Sequence, residues 1–259
     1  MTDDELLLAK VRDLKTRSED NSMLTATNFL DERQRSLISV LEKEKNQYTD
    51  TFYFGGYKDA GRTAAVFVPK FLEITDIDSF FLESPDDCPF CLIRIDKDRF
   101  TALSHRDYLG ALMALGIKRE MLGDLLVDEN GCFVPCVRSV KRFLIDQLES
   151  VGRASVKAKE VSFSQIAKTE AKSEEMISFV SSLRLDNAVS AAFSVSRTKA
   201  SEAIEKGLVF VNSVQTFKPD YKLSEGSILV FRGKGKAVIE EILGESKKGR
   251  LRIKIKKYI

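Results

Sequence analysis

The 259-residue chain has no tryptophan, one histidine (His105), five prolines and four cysteines. Four cysteines over this length exclude a disulfide scaffold and fit a reducing compartment, so a cytoplasmic protein is expected. The opening Met1-Thr2-Asp3-Asp4-Glu5 is acidic, and the basic leader of a secretory signal is missing. No run approaches the ~18 uninterrupted apolar residues of a membrane span, so no membrane partner is expected. Gly233-Lys234-Gly235-Lys236 lacks the spacing of a nucleotide-binding loop. What remains is ordinary: 43% hydrophobic and 31% charged residues, enough to bury a core without staples.

The formal net charge of +2 conceals a polarised chain. Residues 181–259 hold 16 Lys and Arg against 8 Asp and Glu, or +8. The whole-chain totals of 41 and 39 leave 25 and 31 for the other 180 residues, or −6. A partner meets the local field, screened over about 10 Å, so a phosphate-bearing ligand is expected at the C-terminal end.

The pattern predicts an α+β chain in parts. Residues 1–82 read as an N-terminal helical and α/β region, with helices over 4–18 and 29–46 and strands at Thr51–Phe54 and Ala64–Val68. Ser84-Pro85-Asp86-Asp87 marks a boundary. Residues 83–162 then read β-α-β-β-α-β: Cys91–Ile95, His105–Leu115, a hairpin of Leu125–Val127 and Cys132–Val137 around Asn130-Gly131, Val140–Val151, and Val156–Val161. That order is the split βαβ sandwich shared by RNA-recognition-motif domains, although the aromatic-rich RNA-binding strand consensus is not evident. Residues 163–179 read as a polar linker, helical over Lys168–Glu175.

Residues 180–259 carry the densest signal. Leu183, Leu185, Val189 and Ala192 form one helical face, broken at Phe193-Ser194-Val195. Ser196 is placed to cap a second helix that stops at Gly207. Arg197 and Lys199 occupy that helix's first turn, where the dipole disfavours cations by ~0.3–1 kcal/mol. Amides and cations together there can hold a phosphate. Short strands follow, with Val211, Ile228 and Val230 as the half-buried alternation. A last hairpin places Arg250, Arg252, Lys254 and Lys256 on one face against Leu251, Ile253 and Ile255.

Arg184-Leu185-Asp186, Ser196-Arg197, Ala200, Ile204, Gly207, Val209-Phe210-Val211-Asn212, Leu223, Gly226 and Val230-Phe231-Arg232-Gly233-Lys234-Gly235 resemble the S-four RNA-binding domain, over about residues 180–236. Two turn positions depart from its pattern: Ser213 stands for a glycine and Ser227 for an aspartate. The resemblance implies an RNA-contacting surface of Ser196, Arg197, Lys199, Lys206, Asn212, Arg232 and Lys234. Charge reversal at Arg197 and Lys199 is expected to abolish RNA retention while the melting temperature hardly moves. Arg184 with Asp186 reads more simply as an ion pair or cap. Phe29-Leu30-Asp31-Glu32-Arg33-Gln34, Leu103 to Gly110, Leu115 to Arg119 and Leu122-Gly123-Asp124 are similar to the YlmH-type proteins. That resemblance implies binding to structured rRNA or tRNA on the large ribosomal subunit, in rescue of stalled nascent-chain–tRNA complexes. It also implies an association with genes of cell division.

Other constellations are weaker. His105-Arg106-Asp107 matches a kinase triplet without its companion motifs, and reads as a cap by Ser104 with Asp107 in the first turn. Arg106, Lys118 and Arg119, with Arg250, Arg252 and Lys254, form a candidate secondary RNA patch. Cys88, Cys91, Cys132 and Cys136 are weighed as zinc ligands and read as buried thiols, so no metal or cofactor is expected. The expected protein is a non-enzymatic, monomeric RNA binder. The rivals are a pseudouridine-synthase-like RNA-modifying enzyme and a cell-division adaptor.

Overall fold

A computed structural model describes residues 2–42, 49–58, 60–98, 101–168, 173–212, 214–246 and 249–258. They divide into two compact units: residues 1–34 with 40–169, and residues 35–39 with 170–259.

The first unit opens with helix α1 (Asp3–Asp20), started by a capping box in which Thr2 Oγ1 accepts from the Glu5 amide at 3.2 Å. Strand β1 (Thr25–Ala26), helix α2 (Glu32–Glu42, of which residues 35–39 group with the second unit), strands β2 (Thr49–Phe54) and β3 (Ala64–Pro69) and helix α3 (Ile77–Glu83) follow. The strands pair antiparallel in the order β1-β3-β2. The helix expected over 29–46 starts later, because Leu30 is taken into a β-bridge with Thr63; residues 43–46 lie outside the described residues.

Next come β4 (Phe90–Lys97), α4 (His105–Ala114), β5 (Leu126–Asp128), β6 (Gly131–Val137), α5 (Lys141–Gln147), β7 (Ser150–Val151) and β8 (Ala154–Val161). Their sheet runs β5-β6-β4-β8-β7, with the first and third strands of the expected motif adjacent and central. This is the split βαβ arrangement. One element differs from expectation: the helix anticipated to Val151 ends at Gln147, and β7 folds back onto β8 through Gly152 at φ +58°. A shared apolar core of Phe29, Phe54, Val66, Phe81, Phe90 and Val137 joins the two sheets. The Phe54 and Phe90 rings stack at 5.5 Å and Phe29 lies 5.1 Å from Phe90. The Ser84–Asp87 turn therefore interrupts the chain there, not the core.

The second unit contains β9 (Ser173–Val180), α6 (Leu185–Phe193), α7 (Arg197–Glu205), β10 (Val209–Val211), β11 (Val214–Gln215), β12 (Ile228–Phe231), β13 (Gly235–Glu245) and β14 (Leu251–Tyr258). Its antiparallel sheet runs β11-β10-β12-β13-β14-β9. Ala188, Val189, Ala192, Ala200, Ala203 and Ile204 of the two helices pack on Val209, Leu229, Ile239, Ile253 and Ile255. On β12 the buried pair is Leu229 and Phe231, so Ile228 and Val230 take the more open face and the expected parity is reversed.

The linker expected over 163–179 is structured at both ends. Phe163–Lys168 is a 3-10 turn whose Ile166 is buried, and Ser173–Val180 is the edge strand β9 rather than the end of a helix. Residues 169–172 of the anticipated helix lie outside the described residues. The strand was hard to read because Met176-Ile177-Ser178-Phe179-Val180 carries apolar groups on both faces, which hides the period of two.

Candidate nucleic-acid interface

The two helices of the second unit meet at a buried carboxylate. Ser194, at φ +52°, ends α6, and the Ser190 hydroxyl donates to the Val195 carbonyl at 2.7 Å. The chain turns there and enters α7, whose cap is Ser196: its Oγ accepts from the Lys199 amide at 3.2 Å. Arg197 then reaches back to α6. Its Nε and Nη2 donate to Asp186 Oδ2 at 2.9 and 2.8 Å, while Arg184 donates to the same carboxylate at 3.2 Å. The Asp186 side chain is 3% exposed and that of Arg197 55%. Burial pushes the Asp186 carboxyl up, but the two guanidiniums outweigh it and hold the group below its ordinary range.

Arg197 is thus corrected from a free phosphate ligand to a tie between α6 and α7. The pairing of Arg184 with Asp186 stands, with Arg197 added to it. Lys199, three residues past the cap, is exposed and makes no ion pair among the described residues.

The strand-end cations lie at the other end of α7. Gly207, at φ +67°, stops the helix after Lys206, and the Gln215 side chain donates to its carbonyl at 2.7 Å. A Cβ on this residue would fall 2.5 Å from Gln215 Nε2 and 2.7 Å from the Phe217 ring. Leu208 follows, and its carbonyl accepts from the Arg232 amide at 2.9 Å. Arg232 and Gly233 (φ +81°) form the corner of a turn closed by the Lys234 amide donating to the Phe231 carbonyl at 2.8 Å. The fold therefore brings Lys206, Arg232 and Lys234 to one end of a short strand pair. All three are exposed, and none makes an ion pair among the described residues.

Asn212 lies at the opposite end of β10. It is exposed, sits at φ +49°, and its Oδ1 accepts from the Ile228 amide at 2.8 Å, which ties the side chain to the end of the sheet. Ser213 lies outside the described residues. Ser227, the other departure from the family pattern, accepts from the Ser224 amide at 3.0 Å through its hydroxyl.

The secondary patch divides in the same way. Arg106 and Lys118 are exposed. Arg119 is not a surface cation: its Nη1 donates to the carbonyls of Leu122 and Gly123 at 2.7 and 2.8 Å. Burial, with Arg62 nearby, pulls its guanidinium down to about 10. Lys254 is held by Glu175 at 2.9 Å and Glu240 at 3.1 Å, whereas Arg250 and Arg252 are exposed. The Ser104 cap is as expected, with its amide and hydroxyl both donating to Asp107 at 2.7 Å.

One grouping escaped the sequence reading. Asp124 accepts from Tyr57 Oη and the Gly61 amide, each at 2.7 Å, while Arg62 donates to the Phe29 carbonyl at 2.9 Å. Leu122-Gly123-Asp124 is therefore a joint of the first unit; a Cβ on Gly123 would meet Pro135 at 3.0 Å and Phe29 at 3.1 Å. The cysteines are buried, with Cys91 and Cys136 sulfurs facing across β4 and β6 at 3.4 Å. Burial pushes the Cys88 thiol up to about 12. These are thiols packed as small hydrophobes.

Comparison with known proteins places two domains on this frame. A family model described as an RNA-binding domain in YlmH matches residues 85–165, the split βαβ sheet. The S4 domain model matches residues 183–229, from the start of α6 into β12. The ribosome-associated protein quality control protein P2 of Bacillus subtilis is 27% identical over 254 residues, covering 97% of this chain and 94% of that protein. Among solved structures, the cell division protein ylmH from Streptococcus pneumoniae aligns with 64% of this chain and 96% of its own. The TM-score is 0.50 at 20% identity, a likeness of fold.

Proposed function

We propose that this chain, similar to the YlmH-type proteins and ending in an S4 domain, docks on structured rRNA or tRNA. The docking place is the large ribosomal subunit, in quality control of stalled nascent-chain–tRNA complexes. The name of the Bacillus subtilis relative supports the ribosomal setting. The observation that carries the RNA surface is the distribution of cations. Lys199, Lys206, Arg232 and Lys234 are exposed on a rigid two-helix and sheet frame, with no carboxylate to quench them among the described residues. Arg197 keeps α7 in place so that its capped end and Lys199 face the ligand.

Such contacts read phosphate and helix shape rather than base sequence. Four phosphates neutralised give a salt slope of about −3.6, which is roughly a hundredfold loss of affinity between 50 and 200 mM salt. The protein acts as a monomer in the cytoplasm, and it binds rather than modifies RNA.

Sedimentation of a cell lysate tests the reading. The protein should travel with large subunits in low salt and return to the top of the gradient in high salt. If it stays at the top in low salt, the ribosomal assignment is wrong.

A further inference from the structure

Strand β9, which the sequence concealed, gives the second unit another outward face. Met176, Ser178 and Val180 point into the core beside Ile253 and Ile255. The alternate residues therefore point out, and the register sets Phe179 opposite Arg252, Ile177 opposite Lys254 and Glu175 opposite Lys256. Phe179 is 53% and Ile177 58% exposed. Large apolar groups on the open face of an edge strand are a liability that folds ordinarily blunt with charge. Here the charge stands across the ladder instead. Arg252 and its neighbour Arg250 are exposed and make no ion pair among the described residues.

The same face ends on a second ring. Tyr258 lies six residues further along β14, with Lys236 Nζ 5.1 Å and Lys256 Nζ 5.7 Å from its centroid. Six strand residues span about 20 Å. That is the length of about six stacked nucleotides at ~3.4 Å each.

We propose that the outward face of β9 and β14 is a platform for unpaired RNA. A base stacks on Phe179, Arg252 meets the adjoining phosphate, and the strand runs toward Tyr258. Two rings with cations between them on one face suit a chain of bases joined by phosphates, since every base has a π-face. At its Tyr258 end the ladder adjoins the β12–β13 turn, where Lys236 meets the ring, while Phe179 stands at the other end of the strand pair. The inference rests on RNA being the ligand of this unit.

The chain has no tryptophan, so Phe179→Trp in the full protein creates a single reporter. Titration with a twelve-nucleotide oligoadenylate should quench its fluorescence, and inorganic polyphosphate should not. Phe179→Ala and Arg252→Ala should each weaken oligoadenylate binding, the former by roughly tenfold or more. Affinity for a hairpin RNA should stay within about twofold for Phe179→Ala. A tryptophan indifferent to saturating oligoadenylate, or unchanged affinity in Phe179→Ala, overturns the proposal. If Phe179→Ala spares oligoadenylate binding but abolishes a crosslink to a ribosomal protein, the face docks protein and the proposal falls. Should the wild-type protein bind neither RNA, the RNA reading itself falls with it.

Discussion

Two residues in one helical turn, Arg197 and Lys199, should answer to mutation in opposite ways. Removing Arg197 strips two charge-assisted contacts of 2.8–2.9 Å from a carboxylate that is 3% exposed. A hydrogen bond to a charged group contributes about 1.5–3 kcal/mol net. Arg197 is half-exposed and Arg184 still holds Asp186, so the loss is discounted to about 1–2 kcal/mol. For a chain of this size that lowers Tm by about 2–8 °C. Lys199→Glu removes a cation that the helix dipole disfavours and supplies an anion that it favours. Stability should hold or rise by about 0.3–1 kcal/mol. Thermal melts followed by circular dichroism, beside hairpin-RNA affinity from fluorescence anisotropy, separate the effects. Arg197→Ala should lower Tm, and Lys199→Glu should cost affinity at full stability. An unchanged Tm in Arg197→Ala would refute the buried-carboxylate argument. So would a fall in Lys199→Glu as large as that in Arg197→Ala.

Further outcomes follow from the same geometry. Asp186 is held below its ordinary range in the folded state, so its stabilisation is present above the unfolded value near ~3.9 and lost as pH falls through the folded one. In urea unfolding, the deficit of Asp186→Asn should be full at neutral pH and shrink below about pH 4; a deficit independent of pH would contradict this. Gly207→Ala should cost about 1–3 kcal/mol through its φ of +67°, read as a shift in urea midpoint, because the clashing Gln215 and Phe217 atoms are side-chain ends that can move. Arg119→Ala leaves the Leu122 and Gly123 carbonyls without their guanidinium, and should destabilise the protein by about 1–3 kcal/mol while hairpin-RNA affinity stays constant.

Much of the second unit was legible because its signals are local. A serine cap, a glycine stop and small apolar residues at helical spacing define α7 within a dozen residues. The turn at Arg232 to Lys234 announces itself through its glycines. What escaped depends on partners distant in sequence. Arg197 is 11 residues from Asp186, and its electrostatic partner is set by how two helices cross. Arg119 looked like a surface cation until the fold turned two carbonyls toward it. Asn212 gives its oxygen to the Ile228 amide, 16 residues on, a partner set by the pairing of β10 with β12. Strand β9 pairs with β14 more than 70 residues later, and both its faces are apolar. The Ser84–Asp87 turn likewise gave no sign that Phe29, Phe54 and Phe90 share one core.

The central claim is that exposed cations at the start of α7 and in the β12–β13 turn bind phosphate. Hairpin-RNA affinity measured against salt for the wild type, Lys199→Ala, Arg232→Ala and the double variant tests it most directly. Each single change should flatten the logarithmic salt slope by about 0.9, and the double by about 1.8. A double variant with the wild-type slope and affinity would contradict the account.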